Sequence, residues 1–297
     1  HGDARILSID PSAVLAELKQ DSVVIVTGFQ GKTQTGEITT LGRGGSDTTA
    51  TALAVSLQAE RIDIFTDVEG VLTADPQIVK DAKPLEQITY AEICNMAYQG
   101  AKVIHPRAVE VAMQANIPIR IRSTFSDGYG TLVASQKQLQ KSGLVQDRYI
   151  TGIAHVPQVS QIQIASGHGQ YDLQLQIFKA MASHRISVDF INVAPSGVVY
   201  TVFDHEVDKA KRILEMLGYE PLITKGCAKI AIIGGGMNGV PGIMAKIVES
   251  LTHNNIRILQ SADSNNTIWV LVDGDNMVNA VRALHRKFLI EERVEGI

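Results

Sequence analysis

The sequence of 297 residues predicts an α/β fold in two parts: a mainly parallel sheet with covering helices, and then two copies of a smaller α/β module. Two observations predict it. In the first part, apolar runs of strand length alternate with helix-like segments. In the second part, apolar positions recur at a constant offset. Between the parts, at residues 136–149, the apolar periodicity lapses into Gln, Ser and Lys, and we predict a linker there.

Short apolar runs predict the strands of the first part. We predict strands at residues 23–27, 62–65 and 117–121. The first run, VVIVT, suits a strand that is buried on both faces of a parallel sheet. Helices are predicted between the strands, because Thr89 and Glu92 have the spacing of a capping box and Pro106 can open a helix. The alternation predicts a doubly wound layer.

The second part contains one module twice. The paired apolar positions, each 70 residues apart, are Ile177 with Ile247, Met181 with Leu251, Ile186 with Ile256, Val199 with Trp269, Val202 with Val272 and Leu214 with Leu284. Each copy is predicted to run strand, helix, strand, strand, helix, which is the ferredoxin-like order. We place the two modules at residues 150–226 and 227–297. Such small sheets have open edges, so each should pair with its neighbour or with another chain.

The composition excludes several classes of partner. The net charge is −4 and no basic run occurs, so neither nucleic acid nor an anionic membrane is expected, and a small molecule is the default partner. No apolar run approaches the roughly 20 residues of a membrane-spanning helix. Cys94 and Cys227 have no metal-ligand spacing, which predicts buried reduced thiols and a cytoplasmic protein.

The stretch LGRGGSDTTATALAVSL at residues 41–57 has the pattern of an anion site. Gly44 and Gly45 let the backbone approach a ligand, Arg43 adds a fixed positive charge, and Ser46 or Asp47 could cap the following helix. The first N–H groups and the dipole of that helix favour negative charge. The spacing fits neither a P-loop nor a dinucleotide fingerprint. A plain strand-to-helix turn is an equally good interpretation of the glycines alone.

Two further groups of polar residues are candidates for binding. Thr66 and Asp67 follow the strand predicted at residues 62–65, and ligands bind at the carboxyl ends of strands in open α/β sheets. A polar turn, TDVEG, is the alternative. Lys102 and His105 precede the helix opened by Pro106, and the less favoured alternative to a binding role is that they are simply polar residues beside a helix break.

Four motifs occur in a fixed order ahead of the repeated modules. They are GRGGSDTTA at residues 42–50, FTDVEGVLTADP at 65–76, YQGAKVIHPRAVE at 98–110 and PIRIRST at 118–124. In this combination the chain closely resembles the aspartokinases of Gram-positive bacteria, which join an amino-acid-kinase domain to two ACT domains. The resemblance implies MgATP-dependent phosphorylation of the side-chain carboxylate of L-aspartate to 4-phospho-L-aspartate, in lysine, threonine and methionine synthesis. It also makes residues 1–135 the C-terminal part of the kinase domain.

The resemblance gives the candidate residues their roles. Arg43 would hold an aspartate carboxylate, because a planar bidentate donor suits that group. Asp47 would orient the catalytic lysine of the family. The implied site residues are Ser46 and Asp47 for catalysis, Arg43, Gly44, Gly45 and Ser46 for aspartate, and Thr66, Asp67 and Lys102 for the nucleotide. The implied cofactors are ATP and Mg²⁺, with no metal ligand assigned to the chain itself.

The chain departs from the family pattern at several places. The Lys-Phe-Gly-Gly-Thr-Ser strand and loop, whose lysine neutralises the transferring phosphate, is absent from these 297 residues, and so is the acidic residue that binds the substrate's amino group. Such a lysine is worth orders of magnitude in rate, so we expect little or no kinase activity from these residues alone. Two smaller departures lie in the nucleotide segment, where Leu72 and Gln77 stand in place of the Tyr and Arg of many relatives. Two rival hypotheses stay open: a non-catalytic amino-acid-binding regulatory subunit, and a kinase of glutamate or its acetylated form.

The repeated modules are expected to regulate the kinase. The resemblance implies that they bind lysine, threonine or meso-diaminopimelate between paired ACT modules, and that the protein is a homo-oligomer. Gln170, Asp189 and Asn192 are the predicted effector ligands, because they lie in a loop and a strand where such a ligand would bind. For Asp189, a role as a plain surface residue of a strand is nearly as good an interpretation.

Overall fold

The computed structural model describes residues 2–141, 149–166, 172–237 and 239–291. The chain forms two compact units: unit 1 comprises His1–Ile153 and Ile233–Gly239, and unit 2 comprises Ala154–Ile232 and Val240–Ile297. The chain therefore passes between the units three times, after Ile153, after Ile232 and after Gly239. Among the helices of the described residues, none has the length and apolar character that crossing a membrane requires.

Unit 1 contains a four-stranded sheet with helices. Its elements are α1 Ser12–Leu18, β1 Gln30–Lys32, β2 Ile38–Thr40, α2 Gly45–Ser56, β3 Ile62–Thr66, β4 Gln87–Thr89, α3 Tyr90–Tyr98, α4 Pro106–Ala115, β5 Ile119–Ser123, β6 Thr131–Ala134 and α5 Gln136–Lys141. The sheet has the order β3-β5-β6-β4. The pairs β3/β5 and β4/β6 are parallel and β5/β6 is antiparallel, so the sheet is mixed but mainly parallel, as predicted. A separate antiparallel hairpin joins β1 to β2.

The prediction of a strand at residues 23–27 is wrong. These residues carry no strand, and the side chains of Val23 and Ile25 are 92% and 91% exposed. A strand needs a partner for its backbone N–H and C=O groups, and within the described ranges no strand pairs with this segment. An apolar run shows only that burial would be favourable.

Helices α3 and α4 begin where the sequence signals lie. Thr89 Oγ1 accepts a hydrogen bond from the backbone of Glu92, and Glu92 accepts one in return from the backbone of Thr89, so the predicted capping box is confirmed. His105 caps α4, whose first residue is Pro106. The apolar faces of these helices and of β5 form the core of unit 1; fully buried members include Ile93, Val109, Ala112, Ile119 and Ile121.

Unit 2 is built on one six-stranded sheet. Its elements are β7 Gly152–Ala165, which starts in unit 1, α6 Leu173–Ser183, β8 Asp189–Ala194, β9 Gly197–Phe203, α7 Asp204–Met216, β10 Leu222–Ile233, α8 Ile243–His253, β11 Gln260–Asp263, β12 Thr267–Asp273, a 3₁₀ turn Gly274–Asn276, α9 Met277–Arg286 and a π-helical turn Lys287–Glu291. Helices α6 and α8, like strands β9 and β12, have bounds 70 residues apart, so the internal repeat is confirmed in the structure.

The strand order shows how the two modules share the sheet. The order is β11-β12-β10-β7-β9-β8. The four neighbouring strands β10-β7-β9-β8 have the ferredoxin-like arrangement and form the first module. The four neighbouring strands β11-β12-β10-β7 have the same arrangement and form the second. Strands β7 and β10 therefore belong to both modules, and β10 runs across the predicted boundary at residues 226/227. The open sheet edges predicted that each module pairs with its neighbour or with another chain, and among the described residues the two modules pair with each other.

Candidate functional site

The glycine-rich loop before α2 leaves the start of that helix open. The N-terminal cap is Gly44, in a left-handed conformation with φ 68°, and no side chain caps the helix. The hydroxyls of Thr48 and Thr49 instead donate to the carbonyls of Gly44 and Gly45 at 2.8 and 2.7 Å. The expectation that Ser46 or Asp47 caps the helix is therefore wrong. The N–H of Gly45, the first of α2, donates to the carbonyl oxygen of Gly42 at 3.0 Å. Among the described residues no side chain accepts from the first turn of α2, and N–H groups of such a turn suit an anionic ligand.

The helix α4 packs beside α2 and fixes the loop. A Cβ atom on Gly44 would lie 2.2 Å from Cβ of His105, so only glycine fits there. Oδ2 of Asp47 accepts a hydrogen bond from the backbone N–H of His105 at 3.3 Å. The His105 ring Nδ1 in turn accepts from the backbone N–H of Arg107 at 3.3 Å, which caps α4. The predicted residues Gly44 and Asp47 are thus held together through the start of α4.

Arg107 is a supporting residue that sequence reasoning missed. Its guanidinium donates from Nη1 to the carbonyl oxygen of Leu41 at 3.3 Å and from Nη2 to that of Ala4 at 3.0 Å. It therefore fixes the start of the loop from a position 66 residues later in the chain. The only signal in the sequence is its place within the YQGAKVIHPRAVE motif.

The charged candidates around the loop face solvent. Arg43, Ser46 and Lys102 are exposed and Asp47 is half-buried. Lys102 lies in the turn between α3 and α4. In the ranges that the structure describes, neither Arg43 nor Lys102 forms an ion pair. Both cations therefore remain available to an anionic ligand.

The second group of candidates lies at the carboxyl end of β3, as predicted. The hydroxyl of Thr66 donates to Oδ1 of Asp67 at 3.1 Å, and the carbonyl of Thr66 accepts from the backbone N–H of Thr124 at 2.8 Å. Because β3 and β5 are parallel, their carboxyl ends share one edge of the sheet. Among the described residues, no hydrogen bond or ion pair joins Thr66, Asp67 or Lys102 to the loop at residues 42–47.

The described residues contain no group of three or more His, Cys, Asp or Glu side chains that could hold a metal ion. Mg²⁺ commonly binds through substrate phosphates and only one or two carboxylates, with water completing its shell. Asp67, at the carboxyl end of β3, offers one carboxylate for Mg²⁺ binding of this kind.

The predicted effector residues of unit 2 have different surroundings. Gln170 lies outside the described residues. Asp189 opens β8 and pairs with the ammonium of Lys229, whose side chain is 5% exposed against 66% for Asp189. Its Oδ1 also accepts from the backbone N–H of Phe190 at 2.7 Å. Asn192 is exposed on β8, opposite Val199 of β9.

Two glutamine side chains form a chain of hydrogen bonds that begins at Phe190, the residue after Asp189. The Gln260 side chain donates to the carbonyl oxygen of Phe190 at 2.5 Å, and Gln161 donates to Gln260 at 2.9 Å. Both glutamines are buried. Strands β7, β8 and β11 are thus linked by side chains as well as through the sheet. This network gives unit 2 a polar interior next to the two predicted effector residues on β8.

Comparisons with known proteins agree with the fold. The sequence model of the amino acid kinase family matches residues 1–123, and that of an ACT domain matches residues 222–286. The class of protein is therefore an amino acid kinase carrying an ACT region. Aspartokinase 1 of Bacillus subtilis (strain 168) is 54% identical over 288 residues, which are 97% of this chain and 71% of that protein. The chain belongs to the aspartokinase family, a family of kinase enzymes.

Solved structures give the same result. E. coli aspartokinase III in complex with aspartate and ADP, in its R-state, is 30% identical with a TM-score of 0.76, and covers 94% of this chain and 63% of that one. The same E. coli protein with lysine and aspartate, in its T-state, is 30% identical with a TM-score of 0.74 over the same shares. The chain thus spans less than two thirds of these structures.

Proposed function

We propose that this chain supplies most of an enzyme that transfers the γ-phosphoryl group of ATP to the side-chain carboxylate of L-aspartate. The observation that carries the proposal is the first turn of α2, which no side chain caps, preceded by the exposed guanidinium of Arg43, which forms no ion pair within the described ranges. A dicarboxylate and a transferring phosphoryl group both need such donors. The aspartate and ADP bound by E. coli aspartokinase III support the choice of substrates.

In this proposal each element of the loop has one task. Arg43 binds a carboxylate of aspartate in bidentate fashion. The backbone N–H groups of Gly44 and Ser46 bind substrate and stabilise charge on the phosphoryl group, which is the main work of a phosphoryl-transfer enzyme. The N–H of Gly45 donates to the carbonyl oxygen of Gly42 at 3.0 Å, so Gly45 contributes to the aspartate site by letting the backbone approach the substrate. Asp47 orients a cationic partner while its Oδ2 keeps α4 in place.

The nucleotide is assigned to the carboxyl end of β3. Thr66 and Asp67 border it there, and Lys102 approaches its phosphates or its adenine. These residues fit the group, because the strand end offers hydroxyl and carboxylate oxygens and Lys102 offers a free cation. ATP is proposed as its Mg²⁺ complex, with the metal held chiefly by phosphate oxygens.

We infer that residues 1–297 by themselves turn over little or no aspartate, since the Lys-Phe-Gly-Gly-Thr-Ser motif of the family is absent from them. The test therefore uses the full-length protein. Aspartate-dependent release of ADP is measured for the wild type, for Arg43→Lys and for Arg43→Gln. We expect KM for aspartate to rise about tenfold or more for Arg43→Lys, which keeps the charge but loses the bidentate fork.

The matched control is Arg212→Gln, which removes an exposed guanidinium from α7 of unit 2. It should leave KM unchanged. Turnover with glutamate but not aspartate would refute the choice of substrate. No turnover with either, together with altered inhibition when the chain is added to a complete aspartokinase, would favour the rival hypothesis of a regulatory subunit.

We also propose that unit 2 binds an amino-acid effector and pairs with a second copy, so that the enzyme is a feedback-regulated homo-oligomer in the cytoplasm. Support comes from the exposed apolar side chains of Ile191 and Val193 on edge strand β8, and from the lysine bound to E. coli aspartokinase III. Gln170, Asp189 and Asn192 are assigned to the effector. Titration of activity with L-lysine, L-threonine and meso-diaminopimelate tests the assignment, and light scattering tests the oligomer.

A further inference from the structure

The carboxylate of Glu92 in α3 has more partners than a helix cap requires. Its Oε2 accepts from the backbone N–H of Thr89 at 3.0 Å, which is one half of the capping box, and also from the Thr89 hydroxyl at 2.5 Å. Its Oε1 accepts from the hydroxyl of Thr151 at 2.5 Å and from the backbone N–H of Gly235 at 2.9 Å. These last two contacts span 59 and 143 residues of sequence. One carboxylate therefore joins three separate segments of unit 1.

The burial of Glu92 shows that the long-range contacts matter. The residue is only 7% exposed, and all four of its hydrogen-bond donors are neutral. Burying a charged carboxylate is unfavourable unless hydrogen bonds compensate for the lost water. A glutamate that served the capping box alone could do so at the surface. The contacts of Oε1 thus define a second role for this side chain.

The partners of Oε1 lie at the places where the chain leaves and enters unit 1. Thr151 lies just before the passage after Ile153, and Gly235 lies just after the passage at Ile232. The two segments also bind each other, because the backbone N–H of Thr151 donates to the carbonyl of Ile233 at 2.7 Å. Within unit 1, the segments next to two of the three passages are therefore bound to α3 by a single carboxylate oxygen.

The packing around these passages is tight. A Cβ atom on Gly234 would lie 1.9 Å from the carbonyl oxygen of Tyr149, so the two backbones touch. The backbone N–H of Ile153 donates to the carbonyl of Thr73 at 2.8 Å. Thr73 belongs to the FTDVEGVLTADP segment that follows β3. A displacement of the passages would consequently be felt both at α3 and in this segment.

We propose that Glu92 is a positioning residue that couples regulation to catalysis: it transmits the state of the two ACT strands β7 and β10 to α3 and, through α4, to Asp47. The strands are continuous with Thr151 and Ile233, α3 packs on α4, and the start of α4 is bound by Asp47. The inference rests on the proposed function, because it requires an effector that acts on the kinase. Coupling of this kind is a free-energy difference between two states.

The test compares two substitutions, each of which removes one threonine hydroxyl that donates to the carboxylate of Glu92. Thr151→Val removes a donor to Oε1, at the passages, and Thr89→Val removes a donor to Oε2, at the helix cap. Both are made in the full-length enzyme, and kcat, KM and the half-inhibitory concentration of L-lysine, L-threonine and meso-diaminopimelate are measured. Thr151→Ser, which keeps the hydroxyl, is the rescue variant. Glu92→Gln is measured alongside, since its amide retains only one acceptor oxygen.

We expect Thr151→Val to raise the half-inhibitory concentration of the active effector about fivefold or more, the lower end of ordinary allosteric coupling, with kcat without effector within about twofold of the wild type. Thr151→Ser should restore the wild-type response. Thr89→Val should lower the thermal stability but leave the inhibition unchanged, because it touches only the cap.

A wild-type inhibition curve for both Thr151→Val and Glu92→Gln would overturn the inference and leave the proposed function standing. Equal loss of response in Thr89→Val and Thr151→Val would also overturn it, because a general loosening of α3 would then explain both. If the wild-type enzyme phosphorylates aspartate but responds to none of the three amino acids, the proposed feedback is refuted and the coupling role with it. Absence of aspartate turnover would refute the proposed activity itself.

Discussion

The backbone of Gly44 lies directly against the side chain of His105. The two residues belong to different motifs of the sequence, yet a Cβ atom at position 44 would lie 2.2 Å from Cβ and 2.3 Å from Cγ of His105. Gly44 also has a φ of 68°. Glycine is therefore required at position 44 for two reasons: the backbone has a positive φ, and there is no space for a side chain. The contact makes the geometry of the loop dependent on where α4 begins.

Replacement of Gly44 by alanine should impair both folding and binding. A side chain at this position meets the left-handed strain and the His105 ring together, so we expect a loss of about 2–4 kcal/mol in the free energy of unfolding. KM for aspartate should rise with it. Gly36→Ala is the matched control, because Gly36 also has a positive φ of 92° but its nearest neighbour is the flexible end of Lys32 at 3.5 Å. Urea denaturation of both variants separates the backbone strain, which both share, from the clash with His105, which only Gly44→Ala has. An equal loss in the free energy of unfolding for the two variants would contradict the packing argument.

Replacement of Asp47 by asparagine should separate structure from chemistry. Asparagine keeps an oxygen that can accept from the backbone N–H of His105, so the free energy of unfolding should change by less than about 0.5 kcal/mol. If Asp47 orients a cationic group of the site, kcat should fall by about a hundredfold with KM nearly unchanged. Steady-state kinetics of the full-length enzyme measure this. A variant with full activity would remove Asp47 from the catalytic residues.

The pair between Asp189 and Lys229 predicts an asymmetric effect on stability. Asp189→Asn leaves the buried ammonium of Lys229 without its carboxylate, which should destabilise the protein by about 1–3 kcal/mol. Lys229→Met removes the buried charge and leaves only the largely exposed Asp189, so its loss should stay below about 1 kcal/mol. Urea denaturation of the two variants decides the order. The reverse order would mean that Lys229 is stabilised by something other than this pair.

The surroundings of Asp63 predict that the stability of the protein depends on pH in the acid range. It receives two hydrogen bonds from Arg120, at 2.7 and 2.9 Å, and two from Arg61, at 3.0 and 3.4 Å. Burial by itself raises the pKa of this carboxyl, but the hydrogen bonds and charges of Arg120 and Arg61 outweigh it, so the pKa lies below its ordinary value. A carboxyl with a lowered pKa stabilises the folded state above its unfolded pKa of about 3.9. That contribution disappears as the pH falls through the folded pKa.

Asp63→Asn should therefore lose about 1 kcal/mol relative to the wild type at pH 7, and the difference should shrink steadily below pH of about 4. The free energy of unfolding in urea is measured at several pH values. Glu17→Gln, on the exposed helix α1, is the control and should track the wild type. A difference for Asp63→Asn that stays constant down to pH of about 2 would show that the two arginines do not act through the charge of Asp63.

Local signals in the sequence predicted much of the structure. The capping box at Thr89 and Glu92, the helix opened by Pro106 and the strand that ends at Thr66 all occur as predicted, because each depends on residues a few positions apart. Both cysteines are buried free thiols, as their spacing indicated. The glycines of residues 42–45 predicted a turn before a helix, and α2 begins there at Gly45. The domain boundaries and the roles of the site residues remain predictions.

The sequence by itself determined the α/β class, the family and the repeat of 70 residues, since apolar periodicity, motifs and a constant offset are all visible along the chain without knowledge of which segments meet. Only the tertiary structure decided which groups meet. It placed His105 against Gly44, gave Arg107 the carbonyl of Leu41, and brought Thr151 and Gly235 to one oxygen of Glu92. It also left residues 23–27 without a partner strand among the described residues. Contacts between distant segments depend on how helices and strands pack, and no local pattern encodes that packing.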